Sequence, residues 1–458
     1  MNEAAGFTVA GFETLATIIE TFMNSEEFSS NFTKSDISNF FSKTCNRFLH
    51  SYGQNFYKMR KYERHNVNVA KMLRKCRDTG FFDSSLFYVD SGGFQISIGK
   101  LDKEQTDILL DLYYGFIKQE DCFDRAFILD IVPGPGCTIF NSFKDIYDYN
   151  LKSYELAKNL PQEARDKIIY INHFRTPKLW RIFNDLLNYD GMFESFRHFA
   201  TGGIVANMAS DVLIPCIIYI IPLMPILIKA KEKGIKEFDF HILGGSNFRD
   251  IFFYELIKKH IVEKHDIKVT ITYDSSGLFK GLMQARYLNV LEGDISRKLD
   301  LREQGLHLRW KGDISRIEKY KNEITLLCNE FNFKPLTKDI IYNRETNSFF
   351  REVSVYSMLY MLWMFKRVET LCKSIANKAY EFYLDGDYEE FDTLVEGTVR
   401  NLNQGKLTRK QTTKSYSVYN SLNMLNELDL EHCEYLIKKT LSKDEFRELH
   451  ASSKLLAF

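Results

Sequence analysis

Short apolar runs, each ending in a polar or glycine-rich corner and followed by an amphipathic stretch, dominate residues 85–275. The runs are Ser85–Val89, Ala126–Leu129, Ile168–Ile171, His198–Thr201, Phe238–Leu243 and Val269–Tyr273. Their corners fall at Asp90, Asp130, Asn172, Gly202, Gly244 and Asp274, 30 to 42 residues apart. That spacing suits strand–helix units with insertions. Six parallel strands with polar or glycine residues at every C-terminal end predict an α/β fold of the TIM (β/α)8 type, with its site at that face. A doubly wound sheet would also alternate strand and helix, but would place function only at its switch point.

Outside this core the periodicity becomes helical. Residues 1–80 read as a mainly helical lead-in, with a short strand near Phe7–Phe12. A last barrel strand is expected in Ala285–Leu291 or Gly305–Trp310. The barrel is expected over 1–312. Residues 313–458, with a long amphipathic helix or helix pair at Arg351–Tyr383, read as a helical appendage. Val212–Ile228 is almost wholly apolar. Pro215, Pro222 and Pro225 and a length short of the roughly 20 residues of a membrane span predict a buried, proline-broken element instead.

Composition changes this picture little. The chain has 458 residues, 45% of them hydrophobic and 27% charged, and zero formal net charge. A polyanionic partner must therefore be met by local basic patches. The eight cysteines are scattered and no secretory pattern opens the chain, so a cytoplasmic protein is expected. The same scatter speaks against a compact Cys-x-x-Cys zinc site.

The corners carry the candidate chemistry. Asp274 ends a β-branched strand and enters the turn Ser275-Ser276-Gly277. A carboxylate there can attack an anomeric carbon and hold a covalent glycosyl intermediate. It can also simply cap a helix. Asp90 opens Asp90-Ser91-Gly92-Gly93-Phe94-Gln95 and can manage protons if its pKa is raised, while Ser91, Gly92, Gly93, Phe94 and Gln95 are candidates to bind the substrate, on backbone that can approach a ligand closely. As a plain turn aspartate it would bond its own backbone. Asp130 precedes a Pro-Gly-Pro-Gly corner and can read a base through paired donors. Asn172 and His173 can bond a base edge. Gly202–Gly203 and Gly244–Gly245 give backbone that can lie against a flat ligand.

The string Asp90 to Gln95, with the ordered corners that follow it, resembles the tRNA-guanine transglycosylases over roughly residues 85–282. The resemblance implies exchange of guanine for a 7-deazaguanine through an aspartyl-glycosyl intermediate, without redox or nucleotide cofactor. It places the nucleophile on Asp274, the general acid/base on Asp90 and the base-reading carboxylate on Asp130. The base-binding amide falls near Asn172 and the base-contacting backbone on Gly202–Gly203. The Cys-x-Cys-x-x-Cys…His zinc site of the tRNA enzymes has no counterpart, because Tyr273–Lys334 holds only Cys328. No metal is therefore expected. This chain is most similar to the zinc-free branch that inserts preQ0-type bases into DNA in phages and bacteria, which would place it in the host cytoplasm if phage-encoded. DNA and a free 7-deazaguanine are the expected partners. The same exchange on tRNA, and an inactive barrel that binds nucleic acid or a partner enzyme, are the alternatives.

A basic, aromatic-interleaved stretch at 43–77 suits phosphate and unstacked-base contacts, with Lys58, Arg60, Lys61, Arg64, Lys71, Arg74 and Lys75 as candidates. Lys280, Arg409 and Lys410 join them. A solvated helix face with core-facing aromatics is the competing reading. A target base in duplex DNA would have to be flipped out.

Overall fold

In a computed structural model of the chain, eight parallel strands close into a barrel in sequence order, with β8 returning to β1. The strands are β1 (Gly6–Ala10), β2 (Arg47–Ser51), β3 (Leu86–Asp90), β4 (Arg125–Phe127), β5 (Ile168–His173), β6 (His198–Gly202), β7 (Glu237–Ile242) and β8 (Lys268–Asp274). The structure describes residues 6–24, 31–54, 56–59, 61–132, 137, 139–140, 142–174, 176–189, 191–202, 215–245, 248–274, 287–292, 295–300, 324–334, 347–402 and 415–436.

Strand register divides the side chains into two sets. Phe7, Phe48, Val89, Tyr170, Phe199, Phe240 and Tyr273 are buried and lie on one face in register. They point outward, as the stacking of Phe7 on the helical Phe365 shows. The alternate positions point inward and are far more polar. They include Thr8, Ser51, Tyr88, Asp90, His173, His241, Thr272 and Asp274. A period of two thus sends aromatics to the helical layer and chemistry to the lumen.

One helix packs behind each strand. They are α1 (Phe12–Met23), α2 (His65–Asp78), α3 (Lys103–Gln119), α4 (Phe143–Lys158), α5 (Pro177–Leu187), α6 (Pro215–Glu232), α7 (Phe248–His265) and α8 (Asn347–Asp385). Local signals start several of them. Asp102 and Ser142 form capping boxes with Gln105 and Asp145, and Thr176 caps a helix with proline at its first position. α6 keeps Pro222 and Pro225 inside the helix, and its residues Ile218–Leu227 are buried. Among the described residues no helix is long and apolar enough to cross a membrane.

Three expectations need correction. β2 lies in the supposed helical lead-in; its apolar centre is only Phe48–Leu49, inside a basic stretch, so alternation barely registers. The late strand Tyr287–Glu292 is no barrel member. It pairs antiparallel with Ile295–Asp300, because β8 has already closed onto β1 with Asp274 opposite Thr8. Gly305–Trp310 lies outside the described residues. Finally, the region after 312 is only partly an appendage. α8 fills the eighth helix position, packing on α7 and α1. Its Glu369 Oε1 accepts from Phe7 N (2.9 Å) and Tyr273 Oη (2.8 Å), tying the helix to both closing strands.

Candidate active site

β3 delivers Asp90 to the C-terminal face of the barrel. Ser51, its register partner on β2, donates its hydroxyl to Asp90 Oδ2 at 2.8 Å. Burial pushes the Asp90 carboxyl up to about 6, helped by the negative charges of Asp130 and Asp274 and opposed by the Ser51 and Gly92 hydrogen bonds. The three carboxylates therefore share one electrostatic environment, although each comes from its own strand end. The two glycines after Asp90 serve close packing. Gly92 has a φ of 90°, and a Cβ there would stand 2.5 Å from Gly53 Cα. A Cβ on Gly93 would stand 2.1 Å from the Asp130 carbonyl oxygen. The Gly-Gly turn thus lets the β3 corner wedge between the β2 and β4 corners.

Ser91 is fully buried beneath the turn, and its Oγ accepts from Gly93 N at 3.4 Å. Gln95 keeps a buried Oε1 without a hydrogen-bond partner. Phe94, four residues after Asp90, is 67% exposed.

Asp130 follows β4 and is held by His173, whose Nε2 hydrogen-bonds Asp130 Oδ2. His173 is 5% exposed, and its Nδ1 is buried without a partner. Gly202 makes room for this ring: a Cβ there would stand 2.4 Å from His173 Cε1. Asn172, expected to bond a base edge, does not face the lumen. Adjacent residues on a strand face opposite ways, and Asn172 points outward, donating Nδ2 to the Pro222 carbonyl at 3.1 Å. The inward neighbour His173 therefore stands where an amide was expected. Gly203 lies outside the described residues.

Asp274 ends β8 and is 7% exposed. Its Oδ1 accepts from Gly244 N at 2.8 Å, and His241 Nε2 lies 3.4 Å from the same oxygen. The Gly244 backbone thus anchors the carboxylate. Gly245 faces away from the site: a Cβ there would meet Tyr254 Oη at 2.3 Å and Ile242 Cγ2 at 2.7 Å. Tyr254 donates to the Gly245 carbonyl at 3.0 Å, fixing the corner from α7.

The expected basic surface splits in two. Lys58, Lys61 and Arg64 are exposed in the β2–α2 connection at the site end. There Lys58 and Lys100 both sit over the Tyr57 ring, at 5.4 and 4.6 Å. α2 then runs back toward the N-terminal ends of the strands, with Lys71 exposed along it. Arg74 pairs with Glu120 (2.5 Å) and Asp121 (3.3 Å), and Lys75 with Glu20 (3.2 Å), away from the carboxylates. Arg77, at the same end, pairs with Asp124 just before β4. Tyr52 and Phe56 are core residues, and Tyr62 stacks on Phe56 at 4.6 Å. Arg60, Lys280, Arg409 and Lys410 lie outside the described residues.

Ser51 and His241 stand at the site without being among the residues expected from the sequence. His241 had a signal: Asp239 and His241 alternate with Phe238, Phe240 and Ile242, a polar period of two in a buried strand. Ser51 had none, since its strand was not expected. Among the described residues no group of three His, Cys, Asp or Glu side chains is placed to hold one metal ion. No family model matches the chain, and no curated protein matches it.

Proposed function

We propose that the chain is a base-exchange transglycosylase that replaces guanine in DNA with a 7-deazaguanine. The observation that carries this reading is the trio Asp90, Asp130 and Asp274, brought from three strand ends to one face with Asp90 pushed up to about 6. A carboxyl near that value can give and retrieve a proton at neutral pH. Asp274, anchored by Gly244 N, is the nucleophile.

In the first half-reaction an Asp274 oxygen attacks C1′ of the target nucleotide. The C1′–N9 bond breaks, its electron pair goes to the base, and the base takes the Asp90 proton. In the second half-reaction the incoming 7-deazaguanine gives its N9 proton to Asp90 and attacks C1′. The C1′–oxygen bond breaks and its electron pair returns to Asp274. Asp130 accepts from guanine N1–H and the N2 amine. A carboxylate offers about four acceptor sites, so the His173 bond leaves room for both. Phe94 supplies an exposed face for the flipped base or its neighbour. Lys58, Lys61, Lys100 and Arg64 supply cations for phosphates on the same rim.

The test is incorporation of labelled preQ0 into duplex DNA and into unmodified tRNA, side by side. Label in DNA that vanishes with Asp274→Ala supports the reading. Label in tRNA alone moves the substrate to RNA, and label in neither removes the proposal.

A further inference from the structure

His241 is a buried titratable side chain that the mechanism above does not use. It points into the barrel from β7, is 2% exposed, and lies between the Tyr88 and Phe127 rings at centroid distances of 6.0 and 5.0 Å. Its Nδ1 is 2.7 Å from Oγ1 of Thr272, its register partner on β8. Its Nε2 makes no hydrogen bond and lies 3.4 Å from Asp274 Oδ1. Thr272 and Asp274 are two residues apart on one strand, so both point at the same imidazole.

We propose that His241 is a positioning residue for the nucleophile. With Gly244 N it holds Asp274 Oδ1, so that Oδ2 is the oxygen that attacks C1′. This rests on the transglycosylase reading. The tautomer follows from the neighbours. A proton on Nδ1 would aim the bare Nε2 lone pair at a carboxylate. The Thr272 hydroxyl donating to Nδ1 puts the proton on Nε2, directed at Oδ1. At 3.4 Å that contact is longer than a formed hydrogen bond, as is common before substrate binds. Gly244 N already bonds the same oxygen at 2.8 Å, so both donors converge on Oδ1.

The arrangement acts in both half-reactions. As the Oδ2–C1′ bond forms and the C1′–N9 pair leaves with the base, the carboxylate becomes a neutral ester whose carbonyl oxygen is Oδ1. As the incoming base displaces Oδ2, negative charge returns to the carboxylate, and the two donors stabilise it. The effect belongs to the chemical steps and not to base binding.

The experiment measures kcat, KM for the incoming base, single-turnover formation of the covalent adduct, and thermal unfolding. It uses the full chain with a DNA substrate and compares wild type, His241→Leu, His241→Gln, Thr272→Val and Asp274→Asn. The expected results are a fall of about 100-fold in kcat for H241L, with KM for the base within about threefold of wild type. H241Q, whose amide can reach Oδ1, recovers most of the loss, and T272V loses about tenfold. Wild-type kcat in H241L, or equal losses in folded H241L and H241Q, would overturn the proposal. If H241L does not fold, T272V decides, and an unchanged kcat there overturns it. Asp274→Asn separates the two claims. Its inactivity beside a fully active H241L leaves base exchange standing and removes His241, whereas its full activity removes both.

Discussion

Asp90 carries the pH behaviour of the site. Its folded carboxyl is pushed up to about 6 from an ordinary 3.8, first by burial and then by Asp130 and Asp274. The folded state therefore favours the protonated form. That contribution to stability is complete below about 3.8 and is lost as pH rises through about 6. Asp90→Asn should be more stable than wild type at pH 8 by about 3 kcal/mol, with the gap closing in acid. Denaturant melts of both proteins at pH 4 and pH 8 check this. In the proposed reaction the same shift is an advantage. Release of guanine in a single turnover should slow as pH rises above about 6, because the proton donor is lost. Asp90→Asn should be slow at all pH values and show no such limb.

Gly93 offers a steric test of the same corner. An alanine Cβ would stand 2.1 Å from the Asp130 carbonyl oxygen, which is backbone and cannot swing aside. Gly93→Ala should cost about 1–3 kcal/mol and raise KM for the base. Calorimetry and steady-state kinetics would show both. A Gly93→Ala protein as stable as wild type would mean that the β3 and β4 corners are farther apart.

Among the elements, α8 is the one whose place determines how the barrel closes. Its Glu369 is buried against β1 and β8, and burial pushes its carboxyl up to about 7 from 4.5, with Lys366, Tyr273 and Phe7 N opposing. The stability that comes from the protonated form is present below about 4.5 and fades as pH rises through about 7. Glu369→Gln keeps an acceptor for Phe7 N and Tyr273, so it should gain on wild type as pH rises from 5 to 8. Glu369→Ala strands both donors and should lose about 1–3 kcal/mol. Melting curves of the three proteins over that range read the sign directly.

Elements were legible in the sequence where apolar residues ran together. All six expected strands of 85–275 are present, because their outward positions are aromatic or aliphatic at a regular period of two or their inward positions are apolar as well. β2 was hidden, since Arg47 and Ser51 face the lumen and leave two apolar residues between them. α8 was recognised as a helix, but periodicity does not say that it is the eighth helix of a barrel whose eighth strand ends at Asp274. At the site, the corners were legible and the facing was not. Asn172 and His173 look alike as candidates. A strand turns them to opposite sides, and only the ladder with β6 decides which one meets Asp130. The glycines are ambiguous for a related reason: Gly92, Gly93 and Gly245 fit backbone to backbone or backbone to Tyr254, and in sequence that close packing reads the same as room for a ligand.

At the scale of the whole molecule, zero net charge makes the placement of cations the deciding feature. Lys58 and Lys100 share Tyr57 on the rim that holds Asp90, whereas Arg74 and Lys75 are paired with acids at the other end of the barrel. Lys58→Glu with Lys100→Glu should weaken DNA binding and reduce its salt dependence by about two phosphate contacts. Lys75→Glu should leave both unchanged. Titrations at several salt concentrations distinguish the rim from the far end, and equal effects would mean that nucleic acid contacts the whole flank of α2.

In the proposed reaction Asp274 forms a covalent bond to the sugar of a DNA nucleotide as guanine leaves. That bond can be trapped by mixing the full chain with guanine-containing DNA, without incoming base, and quenching in acid before digestion and mass spectrometry. The expected result is a nucleic-acid adduct on the peptide carrying Asp274, released by added 7-deazaguanine and absent from Asp274→Asn. An adduct on another residue, or exchange that proceeds at the wild-type rate in Asp274→Asn, would contradict it.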